Sequence, residues 1–190
     1  KAAASHTGAL SSDARVFNAV CRQAGVVKVE KPMELLDLSA AFSSLPLPKG
    51  KRVAVMTLGG GWGVVTADLC EANGLELPEL SADIIKKIDE ILPPYWSKAN
   101  PIDLVGERDM SIPITTLEAL MKWDGCDAII NLGIVGRRHL AARLAESVRK
   151  SDPTCPADFL DKMNKMLDDF EASYIHKIVS MMSEYQKPIL

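Results

Sequence analysis

The sequence predicts an α/β fold with a doubly wound parallel sheet, and three observations carry that reading. Strand-length apolar runs alternate with longer stretches of helical periodicity, the pattern of a parallel sheet covered by helices. The two clearest runs, residues 52–58 (RVAVMTL) and 127–134 (DAIINLGI), are apolar almost throughout, as strands buried on both faces must be. The alternation becomes regular only after a Pro/Gly-rich break, Pro46-Leu47-Pro48-Lys49-Gly50, which reads as a linker.

The elements follow in order. Residues 1–10 (KAAASHTGAL) are small and polar and read as a loop. Ser11, Ser12 and Asp13 offer caps for a helix to about residue 24, with Val16, Phe17, Val20 and Cys21 on one face and Gly25 placed to stop it. Residues 26–29 read as a short strand, and Pro32 opens a second helix. Beyond the linker, strand 52–58 runs into Gly59-Gly60-Gly61-Trp62-Gly63 and a helix closed by Gly74. A short strand is expected at 75–77, a helix capped by Ser81, an extended segment through Asn100-Pro101-Ile102-Asp103-Leu104, and a helix at 114–123. After strand 127–134 come helices at about 138–150 and 157–184, then Lys187-Pro188-Ile189-Leu190 as the opening of a last strand, cut short. The expected organisation is a helix-strand-helix appendage at 1–48 followed by a flavodoxin-like doubly wound domain at 49–190.

Composition narrows the function. The chain of 190 residues is 47% hydrophobic and 25% charged, ordinary for a folded soluble domain, and its net charge of -3 leaves no basic stripe for nucleic acid. No apolar run is long enough for a membrane span and no signal peptide is visible. Cys21, Cys70, Cys126 and Cys155 match no metal-ligand spacing, so no metal site is expected, and unpaired usage of this kind fits a reducing cytoplasm. The chain opens on Lys1 with no initiator methionine, which reads as a piece of a longer protein.

Two features bear on chemistry. In TLGGGWGVV a strand, a glycine turn and a helix start succeed one another directly. A helix start leaves backbone N–H groups unpaired and carries partial positive charge, and glycine lets an anion approach them closely. The turn lacks the Gly-Lys-Ser/Thr of a nucleotide phosphate loop, and Val64 and Thr66 stand where a dinucleotide motif would need glycine. Two readings stay open on the motif alone: a phosphate cradle at Gly59, Gly60, Gly61 and Gly63, or a steric turn. The second feature is His6 in Ser5-His6-Thr7-Gly8-Ala9. A neutral imidazole is nucleophilic near neutral pH and can accept a phosphoryl group. Alone, such a histidine reads first as a solvated loop side chain. His139, near a helix start after strand 127–134, and His176, inside a charged helix, are weaker candidates.

Together, ASHTGAL, QAGVVKVEKPMELLDL, the PLPKG linker, VAVMTLGGGWGVVTADLCEANGLEL and ANPIDL resemble the NDP-forming acyl-CoA synthetases, relatives of succinyl-CoA synthetase. The resemblance runs from Ala3 to about Leu104 and weakens in the C-terminal third. It implies that 49–190 is a succinyl-CoA ligase-type domain and that His6 is the phosphorylated residue. It also implies that the helix opening at residues 59–63 holds the phosphohistidine's charge, with Asn100 and Asp103 of the NPxDL turn near the same crevice in a structural or a direct role. The implied chemistry is acyl-CoA + NDP + phosphate ⇌ carboxylic acid + CoA + NTP through a phosphohistidine relay. The expected partners are upstream CoA-binding and ligase domains and an ATP-grasp domain or subunit, with CoA, ADP/ATP or GDP/GTP and Mg2+ used by the parent and nothing beyond an anion held here. Trp62 stands where many relatives have proline.

Two other readings stay beside this one. The same domain set accompanies acetyltransferase domains in proteins resembling lysine acetyltransferases, where it is a non-catalytic regulatory or binding module. The domain can also be an interaction module that docks a partner subunit, with homo-oligomers compatible.

Overall fold

The computed structural model describes residues 13–107, 109–152 and 154–190. The chain divides into two compact units, Lys1–Ser44 and Leu45–Leu190.

In the first unit, helix α1 (Ala14–Gln23) starts at Asp13, whose carboxylate accepts the Arg15 N–H at 2.8 Å. It stops at Gly25, which takes φ +68° while the Gly25 and Val26 N–H groups donate to Arg22 O and Cys21 O. Helix α2 (Pro32–Ser44) opens on its proline. The expected strand at 26–29 does not form, which corrects the helix-strand-helix appendage to two helices among the described residues. A strand needs a partner edge, and the unit's described residues offer none. Val26 and Val27 lie exposed.

The second unit is the α/β domain. Its sheet has the order β2-β1-β3, all parallel, from β1 (Val53–Thr57), β2 (Ile102–Asp103) and β3 (Ala128–Leu132). β1 is buried along its whole length. Its alternate residues serve two cores. Ala54 and Met56, with Ile129, meet Ile84 and Ile88 of α4 (Ala82–Asp89), Leu117 and Leu120 of α5 (Ile112–Lys122), and Tyr174 and Met181 of α7 (Ala157–Tyr185). Val53 and Val55, with Ala128, meet Cys70 of α3 (Gly60–Ala72). The sheet is therefore doubly wound, with α3 on one face and α4, α5 and α7 on the other. Helix α6 (Arg137–Ser151) packs against α7.

Both short strands are smaller than the sequence suggests. Residues 75–77 contribute a single bridge, Glu76 to Arg52. The Leu75 N–H is taken by Cys70 O in the turn that closes α3 at Gly74, and Pro78 ends the segment. The β1 edge beyond it is occupied by a side chain. The Asn100 amide accepts the Val55 N–H at 2.9 Å and donates to Val53 O at 2.8 Å and Pro78 O at 3.3 Å, filling the ladder positions between Glu76 and Ile102. At the other edge Ile189 bridges Ile129.

Candidate functional site

All strands being parallel, their carboxyl ends share one rim. β1 is the switch point: the chain leaves it through α3 on one face and returns to its other side through α5 on the opposite face. Ligand crevices in open α/β sheets lie outside this rim at the switch point. Here the rim carries residues 59–63 after β1, Asp103 at the end of β2, and residues 133–136 after β3. Gly133 packs close to Leu58.

Thr57, fully buried, latches the glycine loop: its Oγ1 donates to Gly59 O at 2.9 Å and accepts the Gly59 N–H at 3.2 Å. Gly59 caps α3 with extended backbone and no side-chain bond. The Trp62 N–H turns back to Gly59 O at 3.1 Å. Among the described residues the Gly60 and Gly61 N–H groups have no partner, so the positive end of α3 is open at these two amides.

The glycines are there for different reasons. A Cβ on Gly63 would meet Pro101 Cβ at 3.1 Å and Thr57 Cγ2 at 3.2 Å, so Gly63 is buried packing between β1 and the NPxDL turn. A Cβ on Gly60 would stand 2.7 Å from Asp103 Oδ2. A Cβ on Gly61 would meet nothing within 4 Å. Packing accounts for Gly60 and Gly63. Gly61, exposed with open space before it, has no internal steric reason to lack a side chain.

Asp103 thus stands directly against the first turn of α3, its Oδ1 accepting the Val105 N–H at 2.8 Å. Asn100 points away from the crevice into the sheet edge, so its role is structural. His6 lies outside the described residues. Trp62 is exposed on the first turn of α3.

A contribution the sequence did not reveal lies at the neighbouring loop. Gly136, at φ +88°, turns the chain into α6, and the Arg138 N–H donates at 2.9 Å to Glu171 Oε1 from α7. Glu171 is 4% exposed, so the start of α6 is occupied by an internal carboxylate. Of the helix starts that follow β1 and β3, α6 is filled from within and α3 is open at the Gly60 and Gly61 amides. Only the 33-residue separation of the partners hid this from a sequence reading. His139 and Glu171 help line a cavity of about 260 Å³ beside that loop. His176 bonds its own helix through Ala172 O. Among the described residues no cluster could hold a metal ion, and no helix is long and apolar enough to cross a membrane.

At the opposite rim, Asp127 at the foot of β3 clamps Arg52 at the foot of β1. Its Oδ2 accepts the Arg52 N–H and Nε–H at 3.0 Å each, and its Oδ1 accepts Nη2 at 2.7 Å. The guanidinium holds the Asp127 carboxyl below the usual carboxylate range. Burial pushes the Cys70 and Cys126 thiols up. These groups belong to the scaffold.

The profile of the Ligase-CoA domain family matches residues 53–183, and that of the succinyl-CoA ligase like flavodoxin domain matches residues 1–42. Among curated relatives, the 4-hydroxybutyrate–CoA ligase [ADP-forming] of Nitrosopumilus maritimus is 31% identical over 84% of this chain and 23% of its own length. The acetate–CoA ligase [ADP-forming] II of Archaeoglobus fulgidus is 41% identical over 68% of this chain and 20% of its own length. The chain thus spans about a fifth to a quarter of these relatives. A solved structure, the dinucleotide forming acetyl-coenzyme A synthetase 1 of Ca. Korarchaeum cryptofilum in complex with phosphate and ADP, superposes with a TM-score of 0.64 at 23% identity. It covers 97% of this chain and 44% of that one, and shows the shared fold. With its parallel sheet, its open glycine turn and these matches, the chain belongs to the Ligase-CoA domain family.

Proposed function

We propose that this chain is the phosphoryl-holding portion of an NDP-forming acyl-CoA synthetase, with residues 1–48 carrying the phosphoacceptor His6 and residues 49–190 forming the domain that receives its charge. The observation that carries the reading is the open pair of amides at Gly60 and Gly61, on the switch-point rim of a Ligase-CoA family domain. Backbone N–H groups at a helix start stabilise a phosphoryl dianion without side-chain cations.

In the proposed relay, an imidazole nitrogen of His6 attacks the phosphorus of an acyl phosphate. The bond from phosphorus to the acyl oxygen breaks and the carboxylate leaves with its electron pair. A terminal oxygen of the nucleoside diphosphate then attacks phosphorus, and the phosphorus–nitrogen bond breaks to restore the imidazole. The names of the relatives, ADP-forming ligases of acetate and 4-hydroxybutyrate with CoA, support ADP and CoA as the other reactants. The complete enzyme supplies the CoA-binding and ATP-grasp parts, with Mg2+ on the nucleotide, and works in the cytoplasm. The share of the relatives' length that this chain spans supports that division of labour. By itself the chain is inactive.

The test supplies radiolabelled ATP and magnesium to the complete ligase and looks for an acid-labile, base-stable phosphoryl label. The label is expected in the wild type and absent in His6→Ala. A folded, ATP-binding wild type that takes no label removes the relay.

A further inference from the structure

The carboxylate beside the glycine loop poses a question of charge. Asp103 closes β2 and its Oδ2 lies over Gly60, within 2.7 Å of where a Cβ would stand. The bond from the Val105 N–H to Oδ1 holds it there. A carboxylate satisfies the positive end of a helix when nothing else does, and it repels a second anion arriving at the same amides. The structure thus places a negative charge beside the two open amides without bonding it to them, in the space that a side chain at residue 60 would take. A loop designed only for tight phosphate capture would carry a cation or a neutral donor at that place.

We propose that Asp103 is a specificity-determining residue of the glycine loop: it discriminates against free inorganic phosphate and favours a phosphoryl group borne on a protonated imidazole. Such a ligand brings a ring N–H for the carboxylate to accept and a positive charge to offset it, while its phosphoryl oxygens take the Gly60 and Gly61 amides. Inorganic phosphate brings only more negative charge. This inference rests on the reading of the loop as a phosphoryl site.

The experiment uses the 190-residue protein, 15N-labelled, and follows the Gly60 and Gly61 amide resonances near pH 6.5. Wild type and Asp103→Asn are each titrated with inorganic phosphate and with freshly prepared N-phosphoimidazole. Asparagine keeps an oxygen for the Val105 N–H, so the turn is retained, and unchanged amide positions away from the loop verify it. Like charges close together in partly solvated surroundings change an affinity by about tenfold. The wild type is expected to prefer N-phosphoimidazole by about that factor, and Asp103→Asn to lose the preference, chiefly by gaining affinity for phosphate. Equal affinities for the two probes in the wild type, or a preference unchanged in Asp103→Asn, overturn the role of Asp103 and leave the phosphoryl site standing. No response of either amide to either probe, in both proteins, removes the site and the discrimination together.

Discussion

Replacing Gly61 and Gly63 in turn by alanine separates the two duties of the glycine loop. In a helix, glycine costs about 1 kcal/mol relative to alanine, so either substitution starts from a gain of up to that size. At Gly61 nothing opposes it, because the new methyl group meets no atom within 4 Å. At Gly63 the methyl group would sit 3.1 Å from Pro101 Cβ and 3.2 Å from Thr57 Cγ2. Thr57 has little room to yield: it is fully buried on β1, and its hydroxyl is committed to Gly59. Overpacking of this kind costs about 1–3 kcal/mol, which exceeds the helix gain. The two variants should therefore differ by about 2 kcal/mol, roughly 5 °C in thermal midpoint for a domain of this size. Gly61→Ala should be as stable as the wild type or slightly more so, and Gly63→Ala less. In the complete ligase the phosphoryl label should behave the other way at Gly61. The new methyl group stands in open space on the same turn as the two amides, and the label should fall although the fold is sound. Thermal unfolding by circular dichroism gives the first quantity and the labelling assay the second. A Gly61→Ala protein that is destabilised as much as Gly63→Ala, or one that labels fully, refutes the separation.

Three further outcomes follow from the scaffold. Asn100→Ala removes an acceptor and two donor contacts at the β1 edge and orphans the Val55 N–H, so unfolding by denaturant should show a loss of about 2–4 kcal/mol. Asp127 is held ionised by Arg52, so the native state prefers its charged form. Its stabilisation is present above about pH 4 and is lost as acid takes the pH down through the lowered folded-state pKa. Asp127→Asn should flatten that part of the acid denaturation curve, and an unchanged curve would place the acid sensitivity elsewhere. Cys70 and Cys126, buried with raised thiol pKa, should react with iodoacetamide far more slowly than half-exposed Cys155 in the native protein, and all should react alike in denaturant.

The features legible in the sequence were those written in local pattern. The apolar runs became β1 and β3, Pro32 opened α2, Asp13 capped α1, and Gly25 and Gly74 took the positive φ that ends a helix. The strand–glycine–helix turn was legible because its three parts are contiguous. What was not legible depends on partners distant in the chain. The apolar residues 26–29 have strand composition, yet the described residues of their unit offer them no strand to pair with. Asn100 reads locally as a turn residue, and its role emerges only when a backbone 45 residues away lies beside it. The four loop glycines look alike in sequence. Only neighbours brought in by the fold, Pro101, Thr57 and Asp103, distinguish the packed positions from the open one.

Asn100 also acts as a ruler. Strand β2 is two residues long, too short for its own ladder to resist sliding along β1. An amide side chain has one accepting and one donating end, and here they match the Val55 N–H and the Val53 carbonyl in only one alignment. A slip by one residue would set donor against donor and turn Ile102 out of the core. The same plug denies the unladdered part of the β1 edge, at Val53 and Val55, to a foreign strand, the route by which sheet edges aggregate. Loss of Asn100 should therefore show itself at a distance: in a wandering Asp103 at the far end of β2, and in a domain that begins to associate through an edge it normally keeps closed.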